Sequence, residues 1–566
     1  MDAAAGMCGI VARLAKADDG GSSPATPATP AAADGAAVER AVARLRHRGP
    51  DAEGVCTVGR CVLGHARLAI VDVHSGAHPL ESADAGAVAA NGEIYNFETL
   101  RDCFEDFPFA TRCDSEVLLP VCAQMGEEAP RLLRGIFGFV WVGVGGRSFT
   151  VARDPVGVVP LFWAEDDAGW WIASERKALP DVELEPFPPG HVLHRGGGGP
   201  AGAPVRPRRY FAPTWVGRGA AGLMPRSSSP TQNVADKLRA ALERAVERRM
   251  AALDDEVGLG LLLSGGLDSS VIAAIAQRRR RAAGLPPLRS FAVGLEGAPD
   301  LLAARRVAAH IGTDHREVRF TVEEALAAVP AAIFAVETDD VTTVRASTPM
   351  MLLARAVRRA GCKVVLSGEG ADEALCGYLY FHNSPTEEGA LDESRKRVLA
   401  LGEYDCLRAN MTFMAAGVEA RVPFLDAGVL RVCMTCGATK LPRRSDAPGA
   451  PRRPIEKALL REACADLLPP DVLWRQKEQA SDGVGFAWID TLREEAARRG
   501  TTEAEWYAEE LAGRLPGVRI APWEPKWIGS TDPSGRVAPA HAEHADHAQR
   551  AAADARPKEE EKCIAS

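Results

Sequence analysis

The sequence has no run of eighteen apolar residues, so no membrane-spanning helix is expected. It has no excess of positive charge either. Its 67 Lys and Arg face 76 Asp and Glu, a formal net charge of -9, so nucleic acid and anionic membranes meet no global attraction and any bound anion must be held by a local site. The thirteen cysteines are scattered, mostly inside apolar runs. They lack the dense spacing of a secreted disulfide scaffold, and a reducing, cytoplasmic setting is expected. Residues 1–6 lack the basic and long apolar regions of a signal peptide. What is present is 566 residues, 46% hydrophobic and 25% charged, enough for two or three separate cores and too much for one.

Composition divides the chain. Residues 18–37 (DDGGSSPATPATPAAADGAA) are expected to form a surface loop, because Gly, Pro, Ala and Ser cannot bury a core. From 61 to 193, short β-rich runs (CVLGHARLAIVD, AVAANGEIY, FGFVWVGV, SFTVARD, GWWIAS) broken by turn residues predict antiparallel sheets, with one helix over SEVLLPVCAQMG. The Gly-, Pro-, Arg- and Ser-rich stretch 195–233 marks a boundary. The pattern then changes. Helices over 238–253 and 270–281 and from residue 301 alternate with apolar strands VGLGLLL, SFAVGL and HREVRF; a helix over 349–360 leads into KVVLS, and 396–495 is mostly helical. Apolar strands alternating with helices predict a parallel sheet covered on both faces. The domains expected are 8–200, a linker 201–233, 234–530, and a tail 531–566 that frays into solvent.

Two loops carry the chemistry. Ser264-Gly265-Gly266-Leu267-Asp268-Ser269-Ser270 lies between a buried strand and a helix, where glycines let several N–H groups and the helix N-terminus point at one phosphate-sized anion. Serine hydroxyls add donors, and Asp268 can hold a magnesium ion accompanying a polyphosphate. No G-K-[ST] follows, so this is not a Walker A loop. Ser367-Gly368-Glu369-Gly370-Ala371-Asp372-Glu373 repeats the arrangement after another apolar strand. Two such loops at strand ends of one sheet can face the same crevice. Singly, the first could be a Gly-rich turn that merely joins strand to helix, and the second a turn with solvated carboxylates.

SGGLDSS is similar to the pyrophosphate loop of the N-type ATP pyrophosphatases. The wider set, SFAVGLEGAPDLLAARRVAAHIGTDH, DVTTVRASTPM, SGEGADE, GYLYFH, GVEARVPFLD and WRQKEQASDGVG, resembles the asparagine synthetases, glutamine-hydrolysing ligases. The resemblance implies a doubly wound parallel-sheet domain of mixed α/β class that cleaves ATP between the α and β phosphates with Mg2+. On its pattern Leu262, Ser264, Gly265, Gly266, Ser269, Ser270, Val293, Ser367 and Gly368 bind ATP. Asp268 and Asp372 hold the metal. Glu369 serves formation of a β-aspartyl-AMP intermediate and its attack by ammonia, Lys457 steadies the phosphates, and Thr342, Thr343 and Arg345 meet aspartate and pyrophosphate.

Met7-Cys8-Gly9-Ile10-Val11 suggests the ammonia source. Were Cys8 the first residue, its α-amine, with a pKa of about 8, could serve as base for its own thiol, so nucleophile and base would come from one residue. A small buried cysteine is the bland alternative. The strings RHRGPD (46–51), RLAIV (67–71), NGEIYN (91–96) and CDSE (113–116) resemble class II glutamine amidotransferases, which fold as an α-β-β-α sandwich of the N-terminal nucleophile type. The resemblance makes Asn91 and Gly92 the oxyanion hole. It gives Arg67, Leu68, Ala69, Ile70, Val71, Glu93 and Asp114 to glutamine binding, a cation for its carboxylate and carboxylates for its ammonium. The mature protein is expected to begin at Cys8, and freed ammonia to cross to the second domain through an apolar tunnel.

Other features carry less. Arg278 to Arg281 end an amphipathic helix and fit a solvated face that complements its dipole. Cys433 and Cys436 form a single CxxC without a second pair, and His541, His544 and His547 fall in the tail. The expected partners are therefore the small molecules glutamine, aspartate and ATP, without nucleic acid or membrane, and with a homodimer left open. An ammonia-only or β-lactam-forming relative with an inert glutaminase half and a catalytically dead glutamine sensor are the alternatives.

Overall fold

The computed structural model describes residues 8–16, 32–196, 205–216, 231–251, 253, 256–476, 484–485, 487–518 and 526–527. Residues 1–6, most of the expected linker, the tail beyond 530 with its three histidines, and the centre of WRQKEQASDGVG lie outside these described residues.

The described residues of the first half form twelve strands: β1 (Gly9–Ala15), β2 (Ala52–Val58), β3 (Cys61–Arg67), β4 (Leu80–Ser82), β5 (Gly86–Ile94), β6 (Gly135–Val142), β7 (Phe149–Arg153), β8 (Phe162–Glu165), β9 (Gly169–Ala173), β10 (Glu185–Pro186), β11 (His191–Arg195) and β12 (Arg208–Arg209). They form two six-stranded sheets, ordered β10-β8-β9-β1-β3-β2 and β12-β11-β7-β6-β5-β4, with antiparallel pairing throughout. The two-residue period of a strand decides which side chains meet. Ile10, Ala12 and Leu14 of β1 pack in one core with Ala87 and Ala89 of β5 and Val140 and Val142 of β6. Their sequence neighbours face outward under helices: Val11 beneath Ala32–Arg44, and Val88, Phe139 and Trp141 beneath Leu118–Met125. The result is an α-β-β-α sandwich.

The expected loop over 18–37 needs correction at its end, because a helix has already begun at Ala32. Val38, Ala41, Val42 and Leu45, at helical spacing, bury against the sheet, and alanines favour extending that helix backward.

The second half is built on β13 (Gly258–Leu262), β14 (Arg289–Gly294), β15 (Asp314–Arg319), β16 (Cys362–Leu366) and β17 (Glu419–Arg421). They form a wholly parallel sheet in the order β15-β14-β13-β16-β17. Strand β17 lies inside the stretch expected to be mostly helical. The helix expected over 349–360 starts at Val341, so Pro349 is inside it. Proline cannot donate to the carbonyl four residues earlier. That carbonyl, on Arg345, instead accepts a 2.9 Å hydrogen bond from the indole of Trp488. No helix among the described residues is long and apolar enough to cross a membrane.

The halves meet over an apolar seam. Leu68, Ile70, Ile136, Val156 and Val159 of the first half share one core with residues of the second. Polar links accompany them: the buried Arg48 reaches Asn410 at 3.0 Å, and at a more open position Lys363 reaches Asp51 at 2.7 Å.

Candidate active sites

Strands β13 and β16 are neighbours, with β14 and β15 on one side and β17 on the other. The sheet order therefore reverses between them, which is where doubly wound sheets bind ligands. The loop 264–270 leaves β13 and the loop 367–373 leaves β16. They approach closely: a Cβ on Gly368 would lie 2.8 Å from the Ser269 nitrogen, so only glycine fits there. Gly265 has φ +74°, and a Cβ there would stand 2.5 Å from the Ala304 nitrogen. The Ser264 and Ser269 hydroxyls lie 3.0 Å apart, and the helix Leu267–Ala282 starts within the loop with Asp268 in its first turn.

Between the loops lies a cavity of about 260 Å3. Ser264, Gly266, Asp268 and Ser269 line it from the first loop, and Ser367, Gly368, Glu369 and Asp372 from the second. Leu262 and Val293 give it an apolar wall, and Thr342, Thr343 and Lys457 complete it. Gly265 and Ser270 are absent from the lining; Ser270 is fully buried behind the loop. Arg345 does not line the cavity either. A buried guanidinium needs a carboxylate, and Arg345 finds Glu503, with Nε 3.0 Å from Oε1 and Nη2 on Oε2.

Lys457 is the convergence point. Its Nζ lies 2.5 Å from Asp268 and 2.6 Å from Asp372, so one cation ties the two loops together. Its backbone sits at φ +55°, a left-handed conformation that a lysine holds only where its surroundings enforce it. Gly377 clears its path, because a Cβ there would fall 1.9 Å from the Lys457 Cε. Glu369 is gripped by Arg408, whose Nη2 lies 3.2 and 3.1 Å from the two carboxylate oxygens. Sequence reasoning overlooks Arg408 and Gly377. Arg408 lies in no motif, and Gly377 opens GYLYFH without anything there announcing its contact with Lys457.

The first half assembles the other candidate site. The pairing Gly9↔Ala66 sets Cys8 beside Arg67 at the ends of β1 and β3. The Cys8 thiol lies 3.7 Å from the Leu68 carbonyl, and burial pushes its pKa up to about 12, opposed by Arg67 among others. Asn91 and Gly92 lie on β5. Gly92 has φ +121°, and a Cβ there would strike the Ile136 carbonyl at 2.0 Å. The Asn91 amide is buried with neither polar atom partnered among the described residues. That is a costly state unless a ligand completes it.

Glu93 is also buried. One oxygen takes a 2.8 Å ion pair from Arg421, and the other has no hydrogen-bond partner among the described residues. Burial raises its pKa well above the usual carboxylate range, against the pull of Arg421. Asp114 is raised by burial too and accepts the Ile94 N–H at 2.6 Å. Arg67 donates to the Val73 carbonyl at 3.3 Å and to that of Asp72. Of 68–71, Leu68 and Ile70 turn into the seam, while Ala69 binds Asp51 through its N–H at 2.8 Å and Lys363 through its carbonyl at 3.2 Å. Val71 packs against the same core, partly buried. The chemistry available is a thiol and an unsatisfied amide in one half and a phosphate cradle beside a clamped carboxylate in the other.

Comparison with known proteins agrees with this division. A glutamine amidotransferase domain family matches residues 7–187, and an asparagine synthase family matches residues 237–399 and 384–515. The chain is 39% identical to an asparagine synthetase [glutamine-hydrolyzing] from Asparagus officinalis, covering 94% of this chain and 92% of that one. It is 40% identical to an Arabidopsis thaliana protein of the same description, covering 88% of this chain and 90% of that one. It is also 40% identical to a probable one from Dictyostelium discoideum, covering 88% and 94%.

Proposed function

The chain belongs to the glutamine-hydrolysing asparagine synthetases, and from that premise we propose how its own residues divide the work. The protein is a ligase that converts L-aspartate, L-glutamine, ATP and water to L-asparagine, L-glutamate, AMP and pyrophosphate. We assign glutamine hydrolysis to residues 8–200 and synthesis to 234–530, joined by 201–233.

Cys8 attacks the glutamine amide. Burial alone would leave its thiol protonated, so the nearby α-amine must be free to accept the proton, which requires the Met7–Cys8 peptide bond to be absent from the active form. The unsatisfied Asn91 amide and the Gly92 N–H receive the oxyanion. Arg67 takes the carboxylate of glutamine, and Glu93 and Asp114 its ammonium. Ammonia then crosses the apolar seam at Leu68, Ile70 and Val156, where little water competes to protonate it.

In the second half, Leu262 and Val293 flank the base, and the loops at 264–270 and 367–368 hold the phosphates. Asp268 and Asp372 would hold Mg2+, which neutralises developing phosphate charge when bound. Two carboxylates suit that ion, because it takes few protein ligands and shares the substrate's phosphates. Lys457 supplies fixed positive charge beside the same phosphates. Glu369, oriented by Arg408, faces the aspartyl carboxyl as it is adenylated and then meets the incoming ammonia. Thr342 and Thr343 contact aspartate and pyrophosphate, and Arg345 holds their helix to Glu503. Twelve described cysteines are free thiols, which fits work in the cytoplasm; light scattering would show whether the enzyme is a homodimer.

The observation that carries the reading is Lys457 bridging Asp268 and Asp372 beside the clamped Glu369 in one cavity. The test is transfer of amide-labelled nitrogen from glutamine to asparagine by enzyme beginning at Cys8, with AMP and pyrophosphate in equal amounts. Cys8→Ala should remove that transfer and keep synthesis from free ammonia. Glutamate without asparagine would mean an uncoupled glutaminase, and no turnover a sensor; either defeats the proposal.

A further inference from the structure

The seam opens into a second cleft, of about 890 Å3, which shares Val156 with the ammonia path but whose charged walls none of the chemistry above uses. Its walls come from both halves: residues 130–136, 154–158 and 210–213 on one side, and the helix Thr231–Ala251 with residues 425–432 on the other. In a chain of formal charge -9, this cleft is lined by seven cationic side chains and only two carboxylates.

The carboxylates are already engaged. Asp426 takes Arg248 at 2.7 Å and Arg249 at 3.1 Å. Asp154 turns to the backbone N–H groups of Val156, Gly157, Val158 and Val159, at 2.8 to 3.2 Å. Arg131 pairs with Glu128 at 3.0 Å. That leaves Arg134, Lys237, Arg244 and Arg431, for which no ion pair is found among the described residues. Lys237, Arg244 and Arg248 recur at i, i+7 and i+11, a spacing that aligns them on one helix face. Deeper in the cleft, the buried Arg249 Nε and the Tyr95 hydroxyl also lack hydrogen-bond partners among the described residues.

Four exposed cations lining one concave, partly apolar space gain from an anion that joins them. Guanidinium groups match phosphate oxygens in bidentate geometry, and two phosphate monoesters carry about three to four negative charges, which balances the four. The volume suits a small molecule, and its concave shape excludes a nucleic-acid duplex. We propose that this cleft is an effector site for a small molecule bearing two or more phosphate groups. Arg134 grips it from the glutaminase half, and Lys237, Arg244 and Arg431 grip it from the synthetase half, so the bound ligand fastens the two halves together.

The test is calorimetric titration of the whole enzyme with inorganic tripolyphosphate and with a hexose bisphosphate, with citrate as a carboxylate control. At least one phosphate probe should bind saturably at one site per chain and raise the melting temperature. The double variant Arg244→Ala/Arg431→Ala, and separately Arg134→Ala on the opposite wall, should weaken binding at least tenfold while glutamine hydrolysis stays unchanged. Lys457→Met, in the ATP cavity, should leave it intact. The proposal is overturned if neither phosphate probe binds, if citrate binds equally well, if the cleft variants bind as tightly as the parent, or if Lys457→Met abolishes binding.

Discussion

Arg421 of β17 reaches out of the synthetase half to Glu93 of the glutaminase half, 2.8 Å from Nη2 to Oε1, with both side chains withdrawn from solvent. The same arginine holds Glu419 at 2.5 Å, and its backbone carbonyl accepts the Ser367 N–H at 2.9 Å. One residue thus touches the proposed glutamine pocket with its side chain and the nucleotide loop with its backbone.

Removing one member of a buried pair leaves an uncompensated charge, so Arg421→Met should destabilise the enzyme by about 3–5 kcal/mol in urea unfolding. Glu93→Gln combined with it should recover part of that loss, because one of the two stranded carboxylates is gone while Glu419 remains. Full additivity of the two substitutions would contradict the pairing.

Lys457→Met should lower asparagine formation by about 10²–10³-fold, the magnitude typical of losing a preorganised charge at a reacting centre. Glutamine hydrolysis should stay near the parent rate. Pyrophosphate release and glutamate release, measured side by side, separate the two. A parallel fall in both would place Lys457 in folding, not in chemistry.

Arg408→Ala frees Glu369 from its clamp. Synthesis should fall by about 10²-fold with either nitrogen source, since misplacing a reacting group by an ångström costs about that much, while KM for ATP barely moves. A change confined to KM for ATP would show that Arg408 serves nucleotide binding instead.

Acid should weaken the first half before the second. Burial lowers His65 to about 3 and His78 well below its ordinary value. In the unfolded chain both protonate near pH 6.5. Below that pH the unfolded state binds more protons, so stability falls with pH, by up to about 1.4 kcal/mol per unit for each histidine. Melting temperatures between pH 7.5 and 5.5 should drop less in His65→Gln/His78→Gln than in the parent; equal slopes would sink this assignment.

The phosphate loops are legible in the sequence because their chemistry is local: glycines, serines and acids within seven residues, each after an apolar strand. The antiparallel and parallel halves are legible from strand periodicity and from strand–helix alternation. Arg408 and Arg421 escape such reasoning because their partners stand 39 residues away in the case of Glu369 and in the other half of the chain in the case of Glu93. The three-residue β17 is too short to show a period. Arg345 has the right motif around it, yet its charge is claimed by Glu503, 158 residues on, and nothing near it announces that partner. The early start of the helix at Val341 is hidden by Pro349, whose missing donor is replaced from outside the helix.

That replacement sets an order of events during synthesis. The Trp488 indole that caps the Arg345 carbonyl lies 143 residues further along the chain, so a nascent protein emerging from the ribosome carries the wall helix with a vacant acceptor until the distal segment is made. The helix that carries Thr342 and Thr343 can therefore take its final hydrogen bond only once residue 488 has been made.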